Sequence, residues 1–370
     1  MTTPPHPLDE YPIHQSPNSI RVAATSDRNF YDRSYWNAHD RTGDVFLITG
    51  LGVYPHLGVI DAYASVGRGS EIVSIHAADA LGDDRLRQEV GPYRIEVLDP
   101  LHALRVTCDA DDHGIGFDLT WEGSFPAVEE PRHVHRIGDA QILDACRFAQ
   151  LGTWSGSLRV QGQTYDVTPD RWLGTRDRSW GIRPVGEREV PGRWAAEGAT
   201  QGFWWLYVPL RFDEFGVVVI LQEQPDGTRT LNAAKRIWPD GRIEELGWPE
   251  VDFTYRSGTR WPERATIHMA TRDRKPVDIE IETLYGIPLG PGTGYSGNEW
   301  THGLWKGRGF VEGVTHDYAE PALAPGIPFM LVDHVARATC DGAEGWGLFE
   351  HGSFGRHDPT GFADFTSMAP

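Results

Sequence analysis

Cysteine is scarce in this chain of 370 residues, and no Cys-x-x-Cys pair occurs. The three cysteines, Cys108, Cys146 and Cys340, are odd in number and far apart. We therefore expect neither a disulfide framework nor a thiolate zinc site, and a cytoplasmic location is the default. Long apolar runs are also missing, because no window approaches the ~20 residues that span a bilayer. The first 19 residues have no basic segment and no apolar core, so no secretory signal is predicted.

Basic residues are outnumbered by acidic ones. Lys and Arg total 34 against 53 Asp and Glu, which gives a formal net charge of −19. A field of that sign repels phosphate backbones and anionic lipids, so we expect no nucleic-acid partner and no membrane insertion. The sequence contains no HExxH, P-loop or GxSxG motif, and the glycine-rich stretch 50–58 lacks GxGxxG spacing. We predict that the protein uses no cofactor.

Glycine, proline and tryptophan are abundant, with 42, 26 and 14 copies. Many turn residues without a repeat period indicate many short strands rather than long helices. Runs rich in Val, Ile and aromatic residues recur at the ~8–12-residue spacing of an all-β barrel or sandwich. We predict strands at 45–54, 58–66, 71–76, 93–98, 101–108, 115–121, 217–224, 228–238, 242–246, 250–255, 265–271, 277–284, 309–315, 328–340 and 346–352. Asp139–Gln150 fits either a helix or a strand.

Two irregular segments suggest how the chain is divided. Gly286–Gly297 is predicted to be a long Gly/Pro loop, and Arg183–Trp194 is the best linker candidate. We therefore predict a flexible N-terminal arm over 1–25, a first β-domain over 26–190 and a second β-domain over 191–370.

The most informative motif follows a predicted hairpin and reads Gly174-Thr-Arg-Asp-Arg-Ser-Trp-Gly181. It resembles the Asp-His-x-Trp-Gly stretch of the two-domain lipocalin-like proteins, which include carotenoid 1,2-hydratases, kievitone hydratase-like enzymes and the AttH group. Here Arg178 stands where the family has His. Gly202–Tyr207 and the Pro-Asp-Gly meander that follows are similar to the start of that family's second barrel. The resemblance implies two partly open antiparallel β-barrels packed side by side, and it implies hydratase or cyclase chemistry.

The carboxyl of Asp177 admits two interpretations. Arg176 or Arg178 would hold it ionised in an ion pair between the barrels, because a nearby cation lowers a carboxyl pKa. In a tryptophan-rich cavity, desolvation would instead raise its pKa, and it could protonate an alkene or alcohol as a general acid. In this second interpretation Arg176 and Arg178 contact the substrate beside Asp177 and set its pKa or orient it, and Trp180 lines the pocket.

Candidate partners of Asp177 lie in the second half. His302 follows Tyr295 in a segment able to fold over a barrel mouth, although a structural loop histidine is the more common case. Acid and His stand side by side at His316-Asp317, Asp333-His334 and Glu350-His351. Strand alternation places Asp333 and His334 on opposite faces, so only one of them can point inward. We favour His302 and Asp333 as proton acceptors or water-positioning groups.

His133 and His135 have the spacing of a metal site, but the acid such a site needs is missing and flanking arginines repel a cation, so no metal is predicted.

The central tryptophans, among them Trp204, suggest either an inter-domain core or aromatic faces that stabilise a carbocation. The leading hypothesis is a cofactor-free lyase or isomerase of the hydratase–dehydratase or cyclase type. Its substrate would be a hydrophobic isoprenoid or aromatic small molecule. Trp180, Trp204 and Tyr295 would line the pocket that binds this substrate. The alternative is a non-catalytic carrier of a lipid or terpenoid, and a homodimer is left open.

Overall fold

The computed structural model describes residues 7–10, 12–137, 140–189, 202–290, 292–295, 300–319 and 326–370. These residues form 23 β-strands and four single-turn 3₁₀ helices, Pro7–Glu10, Asp111–His113, Ile327–Phe329 and Asp358–Thr360, and they contain no α-helix. No helix in the described ranges has the length and apolar character needed to cross a membrane. The predicted all-β class is confirmed.

The first sheet contains the strands of the first half of the chain. All neighbours are antiparallel. Its strands are β1 (Phe30–Asp40), β2 (Phe46–Tyr54), β3 (Val59–Arg68), β4 (Glu71–Ala80), β5 (Glu89–Val90), β6 (Tyr93–Asp99), β7 (Ala103–Ala110), β8 (Ile115–Gly123), β9 (Val128–Glu129), β10 (His133–Ile137), β11 (Ala140–Val160), β12 (Gln163–Val167) and β13 (Trp172–Ile182).

The second sheet is built from the second half of the chain, apart from one strand. The ten strands of this half are β14 (Gly202–Phe212), β15 (Gly216–Glu223), β16 (Arg229–Ile237), β17 (Ile243–Glu245), β18 (Glu250–Tyr255), β19 (Pro262–Ala270), β20 (Pro276–Pro288), β21 (Phe310–Asp317), β22 (Val332–Cys340) and β23 (Ala343–Gly355). The exception is β21, which pairs with β4 at the edge of the first sheet.

The order of strands in the first sheet is β21-β4-β3-β2-β1-β13-β11-β8-β7-β6-β5, with β9, β10 and β12 also paired to β11. The order in the second sheet is β17-β16-β15-β14-β23-β22-β20-β19-β18. A division of the chain into two domains near residue 190 stays a prediction. Strand β21 belongs to the second half of the chain but pairs with the first sheet.

Both sheets curl on themselves. In the first, β4 near one edge contacts β5 and β8 near the other. In the second, the N–H of Ala270, at the end of β19, donates to the carbonyl of Leu246, just after β17, at 3.3 Å. Each sheet thus encloses an apolar interior, and a third apolar cluster fills the space between the two sheets.

Strand β15 shows why some strands are apolar on both faces. Val217, Val219 and Leu221 point into the interior of the second sheet, while Val218 and Ile220 join the cluster between the sheets. Since successive side chains alternate in direction, a strand buried on both faces needs the continuous run Val-Val-Val-Ile-Leu.

Each of the predicted strands overlaps an observed strand, but several observed strands and segments differ from the predictions. Asp139–Gln150 is resolved in favour of a strand, since β11 covers Ala140–Val160. Six strands were not predicted, namely β1, β5, β9, β10, β13 and β14. The predicted loop Gly286–Gly297 is wrong at its start, because β20 extends to Pro288. Residues 190–201, which include the end of the predicted linker, lie outside the described residues. Residues 12–29, which cover most of the predicted N-terminal arm and the start of the predicted first domain, contain no helix or strand.

Candidate functional site

A cavity of about 400 Å³ lies between the two sheets. Its walls come from both halves of the chain. They are formed by Tyr31, Arg33, Ser34, Tyr35, Pro131, His133, Leu143, Ala145, Arg147, Asp177, Ser179, Arg183, Pro184, Phe203, Trp205, Tyr295, Leu331 and Glu350.

Strand alternation in the first sheet selects the polar side chains that reach this cavity. Because β-strand side chains repeat every second residue, Arg33 and Tyr35 of β1 share one face, and Asp177 and Ser179 of β13 share another. The register places Asp177 between Tyr35 and Ala149 on the neighbouring strands, and places Ser179 between Arg33 and Arg147. The small side chain of Ala149 leaves room beside the Asp177 carboxyl.

The Asp177 carboxyl is half-buried and lines the cavity. No arginine of the described chain forms an ion pair with it, since each ion-paired arginine there binds another carboxylate. Burial raises the pKa of Asp177 to about 7; Arg147 opposes this rise, whereas the carboxyls of Glu130 and Glu350 add to it. A carboxyl of this kind holds a proton near neutral pH and can donate it.

The two arginines that flank Asp177 in sequence point to the opposite face of β13. Arg176 is buried and donates from Nε to Gln150 Oε1 at 2.7 Å, and burial lowers its pKa to about 10. Arg178 forms an ion pair with Asp32 at 3.1 Å. The prediction that these two arginines contact the substrate beside Asp177 is corrected, because strand alternation separates them from the cavity.

A second acidic group joins the two sheets. Tyr35 of the first sheet donates its hydroxyl to Asp333 Oδ2 at 2.6 Å, and Asp333 lies opposite Glu350 across β22 and β23. Trp205 Nε1 donates to Glu350 Oε1 at 2.5 Å. Burial and the neighbouring Glu350 carboxylate raise the pKa of Asp333 well above its usual range, so Asp333 is the protonated member of the pair.

Burial also raises the pKa of Glu350, although Arg147 and the Trp205 indole N–H oppose the rise. Of the two carboxyls, only Glu350 lines the cavity. Asp333 shares its strand face with Val335, which packs between the sheets. A role of Asp333 in proton transfer stays a prediction.

His302 lies behind the cavity wall. Its Nε2 accepts a hydrogen bond from Arg33 Nη2 at 2.9 Å, and its ring contacts the ring of Tyr295 edge to face at 4.8 Å. Burial and the two cations Arg33 and Arg183 lower the pKa of His302 well below its usual value, so the ring is neutral. Tyr295 itself lines the cavity, whereas His302 positions Arg33.

The predicted tryptophan lining is corrected in two positions. Trp180 is 39% exposed and lies outside the cavity wall. Trp204 points into the interior of the second sheet, where its ring stacks on His357 at 5.2 Å. The next residue, Trp205, points the other way and lines the cavity, with Phe203 stacked on it at 6.1 Å.

His133 and His135 are both hydrogen-bonded to the side-chain amide of Gln222, through His133 Nε2 and, at 2.8 Å, His135 Nδ1. Within the described ranges no group of three or more His, Cys, Asp or Glu side chains is arranged to hold a metal ion.

Several cavity residues were not identified from the sequence. Arg33 and Tyr35 lie on β1, and their signal was the alternation Tyr31-x-Arg33-x-Tyr35, typical of a strand face. Glu350 was noted only as one of three acid–His neighbours. Arg147 and Arg183 carried no recognisable pattern, because long-range pairing alone brings them to the cavity.

Solved structures of other proteins share this architecture. Kievitone hydratase from Nectria haematococca superposes with a TM-score of 0.51 over 86% of this chain and 88% of its own, at 14% sequence identity. An AttH-type protein from Nitrosomonas europaea superposes with a TM-score of 0.53 over 87% of this chain and 92% of its own, at 13% identity. At such identities the similarity is one of fold.

The chain belongs to a family described as a family of unknown function (DUF8625), whose match covers residues 6–363. No curated protein matches it in sequence.

Proposed function

We propose that the protein is a cofactor-free lyase or isomerase that acts on a hydrophobic or aromatic small molecule by general acid catalysis. One observation carries the proposal: Asp177 presents a carboxyl to a cavity between the sheets, without an arginine ion pair from the described chain and with a pKa of about 7. A catalytic acid works best with a pKa near the working pH. The fold of kievitone hydratase, at a TM-score of 0.51, supports the same chemical class.

Asp177 is the proton donor in this proposal. In the hydration direction its O–H bond breaks as the proton passes to an alkene carbon, and a water oxygen forms a bond to the neighbouring carbon. The water loses a proton to the Glu350 carboxylate, and exchange with solvent restores both carboxyls. Dehydration is the same sequence reversed.

The cavity favours proton transfer with little free cationic charge on the substrate. Arg147 already lies over the Trp205 ring, with its Cζ 5.5 Å from the centroid, and three arginines line the cavity. A long-lived carbocation would be repelled by these charges. The sequence suggested that several tryptophans surround and stabilise a carbocation. We instead propose that Asp177 and Glu350 act as an acid–base pair.

The test starts from the purified full-length protein. Native mass spectrometry identifies a co-purified small molecule, which is then incubated in deuterated water with wild type, Asp177→Asn and Asp166→Asn. Asp166 is an exposed carboxyl on β12 and serves as the control. We expect wild type and Asp166→Asn to incorporate solvent deuterium, and Asp177→Asn to do so ~10²–10⁴-fold more slowly.

Equal incorporation in wild type and Asp177→Asn would remove Asp177 from the mechanism. A bound molecule that exchanges no deuterium and is returned unchanged by all three proteins would support the alternative, a carrier.

A further inference from the structure

The three arginines of the cavity wall differ in whether they form a direct ion pair with a carboxylate of the protein. Of the three arginines in the wall, Arg147 has a carboxylate partner, since its Nε donates to Glu130 Oε2 at 2.6 Å. Arg33 and Arg183 have no carboxylate within ion-pairing distance in the described part of the chain. Asp61 acts on Arg33 only through space and raises its pKa. Desolvated charges are costly unless they are paired, so an arginine that faces a cavity without a direct ion pair offers a site for an anion.

Arg33 is the more deeply buried of the two, at 5% exposure. One of its N–H groups, on Nη2, donates to His302, and the neutral His302 ring supplies no negative charge. The remaining guanidinium N–H groups have no acceptor among the described residues. The arginine is therefore held in place by one hydrogen bond and has donors left for a ligand.

Arg183 approaches from the segment after β13. Its guanidinium lies over aromatic rings, with Cζ 5.5 Å from the Tyr31 centroid and 6.0 Å from the Tyr295 centroid. Its side chain has no hydrogen-bond acceptor in the described ranges. Arg33 Cζ lies 5.2 Å from the same Tyr295 ring, so the two guanidinium groups converge on Tyr295.

We propose, resting on the proposed function, that Arg33 and Arg183 bind an anionic oxygen group of the substrate, a carboxylate or an ionised enol or phenol, which makes the substrate class small aromatic or apolar acids. Arginine is suited to this role because its planar N–H fork matches the two oxygens of a carboxylate.

The register between β1 and β13 also shows how the backbone positions of Arg33 and Asp177 are spaced. Arg33 lies in the row of Ser179, and Tyr35 lies in the adjacent row with Asp177. Rows two residues apart along a strand are separated by ~7 Å. The backbone positions of Arg33 and Asp177 therefore lie in rows ~7 Å apart, and the anionic group and the carbon that receives the proton are served from different rows.

The test uses two nearly isosteric probes, 2-naphthoic acid and neutral 2-naphthamide, with binding measured by isothermal titration calorimetry at pH 7.5. We expect wild type to bind the acid at least 10-fold more tightly than the amide. Arg183→Gln should weaken binding of the acid at least 10-fold and change the amide less than 2-fold. Arg183→Lys, which keeps the charge without the fork, should fall between.

The matched control is Arg159→Gln, because Arg159 pairs with Asp111 on the far side of the first sheet, at 2.8 Å; it should bind both probes as wild type does. Equal affinity of wild type for acid and amide, or an equal loss for both probes in Arg183→Gln, would overturn the proposal. Near-unchanged melting temperatures for the Arg183 variants show that the fold is intact.

The measurement is independent of catalysis. Asp177→Asn should retain the preference for the acid, because the subsite lies one row away from Asp177. A preserved preference together with unaltered deuterium exchange in Asp177→Asn would refute the acid role and keep the anion subsite. The opposite pair of results would refute the subsite and keep the acid.

Discussion

The interior of the first sheet and the space between the sheets bury their side chains equally well but differ in chemistry. The first-sheet cluster consists of apolar residues such as Trp121, Trp154 and Leu158, each at 1% exposure or less. The space between the sheets also contains apolar residues, yet Arg33 and Asp333 are buried there too. Arg33 lines the cavity, where a ligand can reach its charge, whereas the buried Arg176 on the first-sheet face bonds to Gln150 away from the cavity. Buried ionisable groups that border a cavity are candidates for a functional site.

The largest expected effect of a substitution lies in the first-sheet interior. Trp154 packs against Trp121 at 5.1 Å and donates from Nε1 to the Asn37 carbonyl at 2.8 Å. We expect Trp154→Ala to lower the free energy of unfolding by about 3–5 kcal/mol. Trp205→Ala should cost less, because part of its ring faces the cavity and leaves no new void. Urea denaturation measures both, and an equal or larger loss for Trp205→Ala would erase the contrast between the two regions.

The next effect concerns the pH dependence of stability at Asp177. The folded pKa of about 7 lies above the unfolded value of about 4, so the folded state holds the proton more tightly. The stability from this group is fully present below pH 4 and declines by about 1.4 kcal/mol per pH unit until pH 7. Asp177→Asn removes this decline.

We therefore expect the melting temperature of Asp177→Asn to exceed that of wild type at pH 8 and to converge with it toward pH 4. Differential scanning fluorimetry across that range measures the difference, with Asp166→Asn as control. A constant offset between Asp177→Asn and wild type at every pH would show that the Asp177 pKa is ordinary.

A smaller effect on stability is expected at Asp333, and it tests whether this carboxyl is protonated or charged. Since Asp333 is neutral and accepts from the Tyr35 hydroxyl, Asp333→Asn keeps an acceptor of similar shape. Asp333→Ala leaves the Tyr35 hydroxyl without its acceptor, at a cost of about 1–3 kcal/mol. We expect Asn to be the milder change at pH 7 by chemical denaturation. A greater loss for Asn than for Ala would mean that Asp333 is ionised.

The smallest effect is expected outside both regions. Arg105 and Asp118 form a two-point ion pair on an exposed sheet face, at 2.8 and 2.6 Å. Water and salt screen such pairs, so Arg105→Gln should leave the urea midpoint within experimental error at 0.15 M salt. A clear loss there would show that surface charge contributes more to this fold than the buried sites suggest.

Local signals in the sequence predicted much of the fold. The Asp-Gly turns at 226–227 and 240–241 bracket β16 as expected, because such turns favour the positive φ of Gly227 and Gly241. Strand β1 was missed because its apolar residues are interrupted by Asp32, Arg33 and Asn37, which look exposed in sequence. Their partners lie far along the chain; Asn37, for example, donates to Thr175 Oγ1, and no local pattern records such a contact.

The candidate site shows the same limit more sharply. Asp177 and Tyr295 could be selected because an unusual motif and an aromatic loop mark them. The choice between Trp204 and Trp205 could not be made, because adjacent strand residues point to opposite sides and both sides of β14 are buried. The arginines that face the cavity depend on the register between β1, β13 and β11, which the amino-acid pattern does not encode.

The pairing of β21 with the first sheet matters for any attempt to express the two halves of the chain separately. If the chain were cut between 189 and 202, the fragment 1–189 would lose β21, and β4 would become an open edge along Glu71–Ala80. That edge is lined by Ile72, Val73 and Ile75, which makes it a template for intermolecular strand addition. Supplying Phe310–Asp317 as a tethered peptide would then be the minimal repair for a soluble half-molecule.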